Sequence, residues 1–160
     1  MRLDFDKTRF DASGNARLMA LAEAGAEAFG HQAVLTLDRT VAQLLRLRVA
    51  QLNNCTYCLT VHHAAARRAG IGDHRIDTLT AWWETRLFTD AERAALDYAE
   101  ALTLLADTAR HRGFQETHER LAEHFDEGEI REIAAVVINM NIWTRLKLAE
   151  GAMPVEVQEP

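Results

Sequence analysis

The chain has 160 residues, of which 48% are hydrophobic and 26% charged, with a net charge of −6. That size and balance fit one folded domain over residues 1–160 with a sizeable core. The acidic balance argues against nucleic acid, whose affinity rests on Lys and Arg neutralising phosphates. No apolar run approaches the ~20 residues that cross a bilayer, and the acidic start Met1-Arg2-Leu3-Asp4-Phe5-Asp6 lacks the apolar core of a signal peptide. The expectation is a cytoplasmic protein without a membrane partner.

The only prolines are Pro154 and Pro160, so the body has none to interrupt a helix. Residues 1–12 read as an extended lead-in. Ser13 is a candidate cap for a helix to about Phe29, with Leu18, Leu21, Ala22 and Gly25 on one face and Gly30 as the stop. Asp38 suits the N-cap of a second helix. There Val41, Leu44, Leu45, Leu47, Val49 and Leu52 form a wide apolar arc that demands burial. Asn53 is expected to close this helix and Asn54 to open the next, which puts Cys55 in a first turn and ends at Gly70.

Further on, Ile76 to Phe88 reads as a short helix with an aromatic face carrying Trp82 and Trp83, residues that suit core or interface. Thr89-Asp90-Ala91-Glu92 has the capping-box pattern and opens a helix with Ala95, Tyr98, Ala99, Leu102 and Leu105 at helical spacing. Gly113 marks a loop before a short helix through Leu121. Asp126 to Glu129 repeats the start signal. The last helix is apolar all round at Ile133 to Ile138, as a central buried element would be, and ends at Gly151 and Pro154. Asn139, Asn141 and Trp143 read as packing and hydrogen-bond anchors, since buried amides need partners. The expected fold is all-α, a single-domain bundle of about seven helices. Its wide apolar faces suggest self-association.

Both cysteines of the chain lie in Asn54-Cys55-Thr56-Tyr57-Cys58-Leu59-Thr60-Val61-His62-His63. At about 100° per helical residue, Cys55, Cys58 and His62 share an arc of about 60°. His63 points about 100° away from His62 and reads as a surface or packing residue. A lone Cys pair in a reducing compartment is more often catalytic or metal-binding than a structural staple. A helix N-terminus can lower a thiol pKa, an imidazole can take its proton, and the second thiol can close a disulfide. Such a cycle requires no cofactor. Two alternatives stay open at this point: inert buried cysteines, and a zinc site using Cys55, Cys58 and one or both of His62 and His63.

At these residues the sequence resembles the AhpD-like alkylhydroperoxidase group within the carboxymuconolactone decarboxylase family. The matching core runs from Gln43 through Leu44-Leu45-Arg46-Leu47-Arg48-Val49-Ala50-Gln51-Leu52-Asn53-Asn54-Cys55-Thr56-Tyr57-Cys58, with His62 following. The likeness continues through Ala81-Trp82-Trp83-Glu84-Thr85, Phe88 to Leu96, and Asn141-Ile142-Trp143-Thr144-Arg145-Leu146. The resemblance implies an AhpD-like fold assembling as trimers or hexamers. It implies an antioxidant thiol peroxidase, a peroxiredoxin-type oxidoreductase, that reduces hydroperoxides with a dithiol or thioredoxin-like reductant and no metal. On the same ground Cys58 would attack the peroxide, Cys55 would resolve it through a Cys55–Cys58 disulfide, and His62 would serve a proton relay. Muconolactone-type decarboxylases of the family generally lack the cysteine pair, which disfavours that activity here.

One position departs from the pattern. The relay of the family usually begins with a glutamate twelve residues before the first cysteine, and here that residue is Gln43. An amide cannot accept a proton as a carboxylate does, and Tyr57, a histidine in some members, supplies no base near neutral pH. The alternative function is therefore a non-enzymatic redox-responsive or small-molecule-binding oligomer with weak peroxidase activity.

Overall fold

Ten consecutive residues of one helix, Val41 to Ala50, are buried, and three of them are the polar Gln43, Arg46 and Arg48. The structure, a computed structural model, describes residues 9–108 and 113–154; most of the lead-in expected at 1–12 lies outside them. The α-helices of the described residues are α1 (Ala16–Phe29), α2 (Arg39–Leu52), α3 (Thr56–Arg68), α4 (Asp73–Thr78), α5 (Asp90–Thr103), α6 (Phe114–Ala122) and α7 (Glu127–Glu150). They number seven, with no strand among them, so the all-α expectation holds. Helix α2 is the axis: it packs against α3, α5 and α7, while α1 lies on α7 and α6 covers α5. Leu44, Leu45, Leu47 and Val49 of α2 meet Leu79, Leu96, Ile133, Val136 and Val137 in one core. Each such aliphatic side chain contributes roughly 1.5–3 kcal/mol by leaving water.

Local chemistry sets most helix ends. Asp38 accepts from the backbone N–H groups of Thr40 and Val41. Thr89 and Asp126 each form a complete capping box, with Glu92 and Glu129 reaching back. Helix α3 closes at Gly70, whose φ of +80° suits a residue without a Cβ. There Ile71 N–H reaches Ala66 O at 3.1 Å and Gly70 N–H reaches Arg67 O at 2.9 Å, which is the Schellman arrangement.

Five expectations change. Asn15 caps α1, its Oδ1 accepting from Arg17 and Leu18 N–H, while Ser13 sits in a preceding 3₁₀ turn capped by Asp11. Asn54 does not open α3; it takes the left-handed conformation at φ +50°, and Cys55 is the N-cap. The stretch expected as one helix over Ile76 to Phe88 is α4 followed by a 3₁₀ segment, Leu79–Glu84, bent at Ala81. The bend buries Trp82 and leaves Trp83 exposed. Finally, α7 is not buried all round: Ile133, Val136 and Val137 face the core, but Ile138 is half exposed. Leu105 likewise lies beyond the end of α5 and is exposed.

Candidate redox site

The turn between α2 and α3 builds the site. Asn53 ends α2 with its side-chain N–H on Val49 O at 3.0 Å, and also donates to Asn141 Oδ1 of α7 at 3.2 Å. Asn141 in turn donates to Thr103 Oγ1 of α5 at 3.1 Å. The turn is thus tied to α7 and α5 by side-chain hydrogen bonds, which confirms Asn141 as an anchor. Asn54 then reverses the chain and sets Cys55 at the head of α3.

Cys55 and Cys58 stand at disulfide distance, with Cα atoms 5.3 Å apart. Both are almost fully buried. Cys55 Sγ accepts the Cys58 backbone N–H at 3.3 Å. This sulfur occupies the place of a capping oxygen, where the unpaired N–H groups and the positive end of the helix favour negative charge. Cys58 lines a cavity of about 180 Å³, together with His31, Tyr57, Val61, His62, Asn139, Met140, Trp143 and Lys147; Cys55 is not on this wall. The rings of Tyr57 and Trp143 are covered by Lys147, whose ammonium lies 5.0 Å and 5.5 Å from their centres. Two buried polar atoms of the lining, Asn139 Oδ1 and Trp143 Nε1, have no protein partner. Both were expected to be satisfied anchors; instead neither atom is bonded, and both residues line the cavity beside Cys58.

His62 is brought to the cysteines as the helical spacing required, since it shares the cavity wall with Cys58. His63 is only half-buried and lies off this wall. Gln43, from α2, lies behind His62: its Nε2 is 3.3 Å from His62 Nδ1 and 3.3 Å from the His62 carbonyl oxygen. Its Oε1 accepts from Arg46 Nη1 at 3.4 Å. Arginine only donates, so the amide oxygen must face Arg46 and the NH2 must face His62. Neutral His62 therefore accepts at Nδ1 and carries its hydrogen on Nε2. Burial is the main force holding His62 down to a pKa of about 3, with the charges of His31 and Arg46 adding to it. His31 packs edge-on against His62, with ring centres 5.9 Å apart.

The residues missed by the sequence reading are His31, Arg46 and, as cavity-edge groups, Asn139 and Trp143. Arg46 did carry a signal: a charged residue one turn after Gln43 inside an otherwise apolar helix arc. His31 carried none, because it reaches the site from the segment between α1 and α2. Among the described residues no three His, Cys, Asp or Glu side chains gather as a metal-binding group, and Cys55 and Cys58 face each other rather than a common third ligand.

An all-α bundle with a C-x-x-C pair at a buried helix N-terminus, opening on a histidine-walled cavity, defines an AhpD-like protein. A family model described as the carboxymuconolactone decarboxylase family matches residues 17–101, and the chain belongs to that family. It is 33% identical to the YdfG protein of Bacillus subtilis over 72% of this chain and 77% of that one. It is 32% identical to YnjA of Escherichia coli over 71% of this chain and 60% of YnjA, so part of YnjA has no counterpart here. A crystal structure from Agrobacterium tumefaciens superimposes with a TM-score of 0.82 and 26% identity, covering 94% of this chain and all of the other. That protein is described as being of unknown function and as a proposed antioxidant defence protein AhpD. The debrominase Bmp8 shares the fold at a TM-score of 0.68 and 16% identity, over 97% of this chain and 95% of its own. At that identity the likeness concerns the fold alone.

Proposed function

We propose that the protein is a C-x-x-C thiol oxidoreductase that reduces hydroperoxides through the Cys55–Cys58 disulfide. The observation that carries this reading is the pairing of the two cysteines with only Cys58 on the cavity wall. In the reduced protein, Cys58 thiolate attacks the terminal oxygen of a hydroperoxide, the O–O bond breaks, and an alcohol leaves once its alkoxide is protonated. Cys58 becomes a sulfenic acid. Cys55 then attacks the Cys58 sulfur, forming the disulfide and releasing water. Each turnover consumes one hydroperoxide and oxidises two thiols. A dithiol reductant restores them by attacking the Cys58 sulfur from the cavity, so that Cys55 leaves as a thiolate at the helix N-terminus. A leaving thiol of lower pKa departs faster.

In this cycle His62 acts as a donor. With Gln43 donating to Nδ1, its Nε2–H is available to the departing oxygen, but the ring has no free nitrogen to take the Cys58 proton. The thiolate must therefore form without His62 as its base, and the reaction with peroxide should be slow at neutral pH and rise with the ionisation of the thiol. This feature favours the second reading, a redox-responsive oligomer in which disulfide formation is the signal and turnover is incidental. Assembly as a trimer or hexamer belongs to the proposal and is supported by exposed apolar side chains such as Leu21, Val34 and Ile138.

Anaerobic thiol titration tests the proposal. One equivalent of cumene hydroperoxide should remove two thiols per chain and form the internal disulfide. Unchanged peroxide turnover in Cys58→Ser would overturn it. The two readings separate on turnover with a dithiol reductant: repeated cycles support the enzyme, and a single oxidation that accumulates supports the responsive oligomer.

A further inference from the structure

A second and larger cavity, of about 540 Å³, lies on the other side of Gln43 and His31. Its walls combine apolar groups, including Leu35, Leu37, Ala42 and Ala65, with Arg39, Arg46 and Arg68. No Asp or Glu is among its lining residues. Arg46 is the unusual member. It is 2% exposed, and its partners are neutral: the Phe29 carbonyl at 2.9 Å and Gln43 Oε1 at a long 3.4 Å. Its Nε has no partner. Among the described residues no carboxylate offsets this buried charge, and burial alone pulls its pKa down to about 10. A buried guanidinium is ordinarily matched by an anion, because its five donors and fixed charge fit a planar carboxylate.

We propose that this cavity binds a small organic acid with an apolar tail, its carboxylate on the Arg46 guanidinium between Arg39 and Arg68 and its tail against Leu35, Leu37 and Ala42. The two outer arginines are exposed and sit where they draw an anion inward. The cavity suits such a ligand on both counts: acetate would leave its apolar wall unused, and a neutral alcohol would leave Arg46 unmatched. His31 lines this cavity and the one at Cys58 alike, so an occupant would be felt at its ring.

Calorimetric titration of the oxidised full chain with hexanoate, hexanol and acetate tests the proposal independently of peroxide turnover. Hexanoate should bind saturably at one site per chain, at least about tenfold more tightly than hexanol, as a charge-assisted hydrogen bond requires. The His31 ring proton resonances should move with the same saturation. Arg46→Gln should weaken hexanoate by about tenfold or more and leave hexanol unchanged. Should that variant fold poorly, Arg39→Gln and Arg68→Gln alter only exposed positions and should each weaken hexanoate by about two- to fivefold. Equal binding of hexanoate and hexanol, or hexanoate binding indifferent to all three substitutions, would overturn the proposal. So would absence of hexanoate binding to the native chain; a changed sedimentation mass in Arg46→Gln would then assign the partner of Arg46 to an acidic group of a neighbouring copy.

Discussion

Helix α2 carries two buried arginines, two residues apart and on opposite sides, with opposite fates. Arg48 faces α5. Its Nε and Nη2 both meet Glu100 Oε1 at 2.8 Å, and the Trp82 indole N–H donates to the same oxygen at 2.8 Å. Arg46 faces the end of α1 and the larger cavity, where it finds two neutral oxygens and no carboxylate. The first side is a closed network that holds α2, α5 and the 3₁₀ segment together. The second is loosely bonded and borders the larger cavity. The difference shows where the molecule invests in rigidity and where it keeps a charge in reserve. Unmatched buried polar groups cost stability and persist where something other than folding uses them.

Breaking the closed side should produce the largest effect. Glu100→Ala strands Arg48 in the core and should cost about 3–5 kcal/mol, read as a lowered urea midpoint with an unchanged slope. Should Glu100→Ala cost less than about 1 kcal/mol, the contrast between the two arginines would fail.

The next effect concerns pH. His62 is held near 3 in the folded chain against 6.5 when unfolded. Between those values the unfolded chain binds a proton that the folded chain refuses, so stability is complete above pH 6.5 and falls as pH drops toward 3. His31 and His63 are also depressed, chiefly by burial, and act with the same sign. Denaturation at pH 7.5 and 4.5 should differ by up to about 3 kcal/mol from His62, and His62→Asn should flatten that slope.

A change at the open side itself acts on rate. Gln43→Glu places a carboxylate between Arg46 and His62. Glutamate would accept from His62 Nδ1–H, moving the free lone pair to Nε2 and raising the imidazole pKa. Peroxide reactivity at pH 7 should increase by about 10², and the pH–rate profile should shift to lower pH. A profile identical to that of the native chain would show that the amide is not what limits the reaction. The smallest effect is expected from Arg46→Met. Replacing a charge that has no anionic partner by an apolar side chain of similar length should alter stability by less than about 1 kcal/mol in either direction. Arg48→Met, by contrast, should be strongly destabilising.

Much of this was legible in the residues. The capping boxes at Thr89 and Asp126 and the cap at Asp38 are local chemistry, readable within four positions. The placing of Cys58 and His62 on one wall follows from helical periodicity alone, whereas Cys55, as the N-cap, stands outside the helix and off that wall. The significance of Gln43 required the family pattern; the structure adds that its side chain reaches His62 across two helices, at 3.3 Å. What stayed hidden came from segments that are distant in sequence. Asn139 and Trp143 of α7 and His31 of the first interhelical segment have no spacing relation to Cys58. The bend at Ala81 was hidden for another reason: Leu79, Trp82 and Trp83 fit a helix face, and packing of Trp82 onto Glu100 overrode the local preference. The misplacement of Asn54 and Cys55 by one position arose because asparagine suits a cap and a left-handed turn equally well.

That one left-handed residue has a mechanical consequence. Asn54 is a rigid elbow between the helix that carries Gln43 and the helix that carries His62. From the elbow to His62 is a lever of about 12 Å, eight residues at 1.5 Å each. A swing of about 10° at the elbow would displace the imidazole by about 2 Å over a lever of that length, more than the 3.3 Å contact to Gln43 can survive. The Gln43–His62 contact is therefore a matter of angular tolerance, set at the Asn54 turn and braced by the packing of α2 on α3 and by the Asn53–Asn141–Thr103 hydrogen bonds. Slackening that elbow would detune the site without touching a single group that reacts.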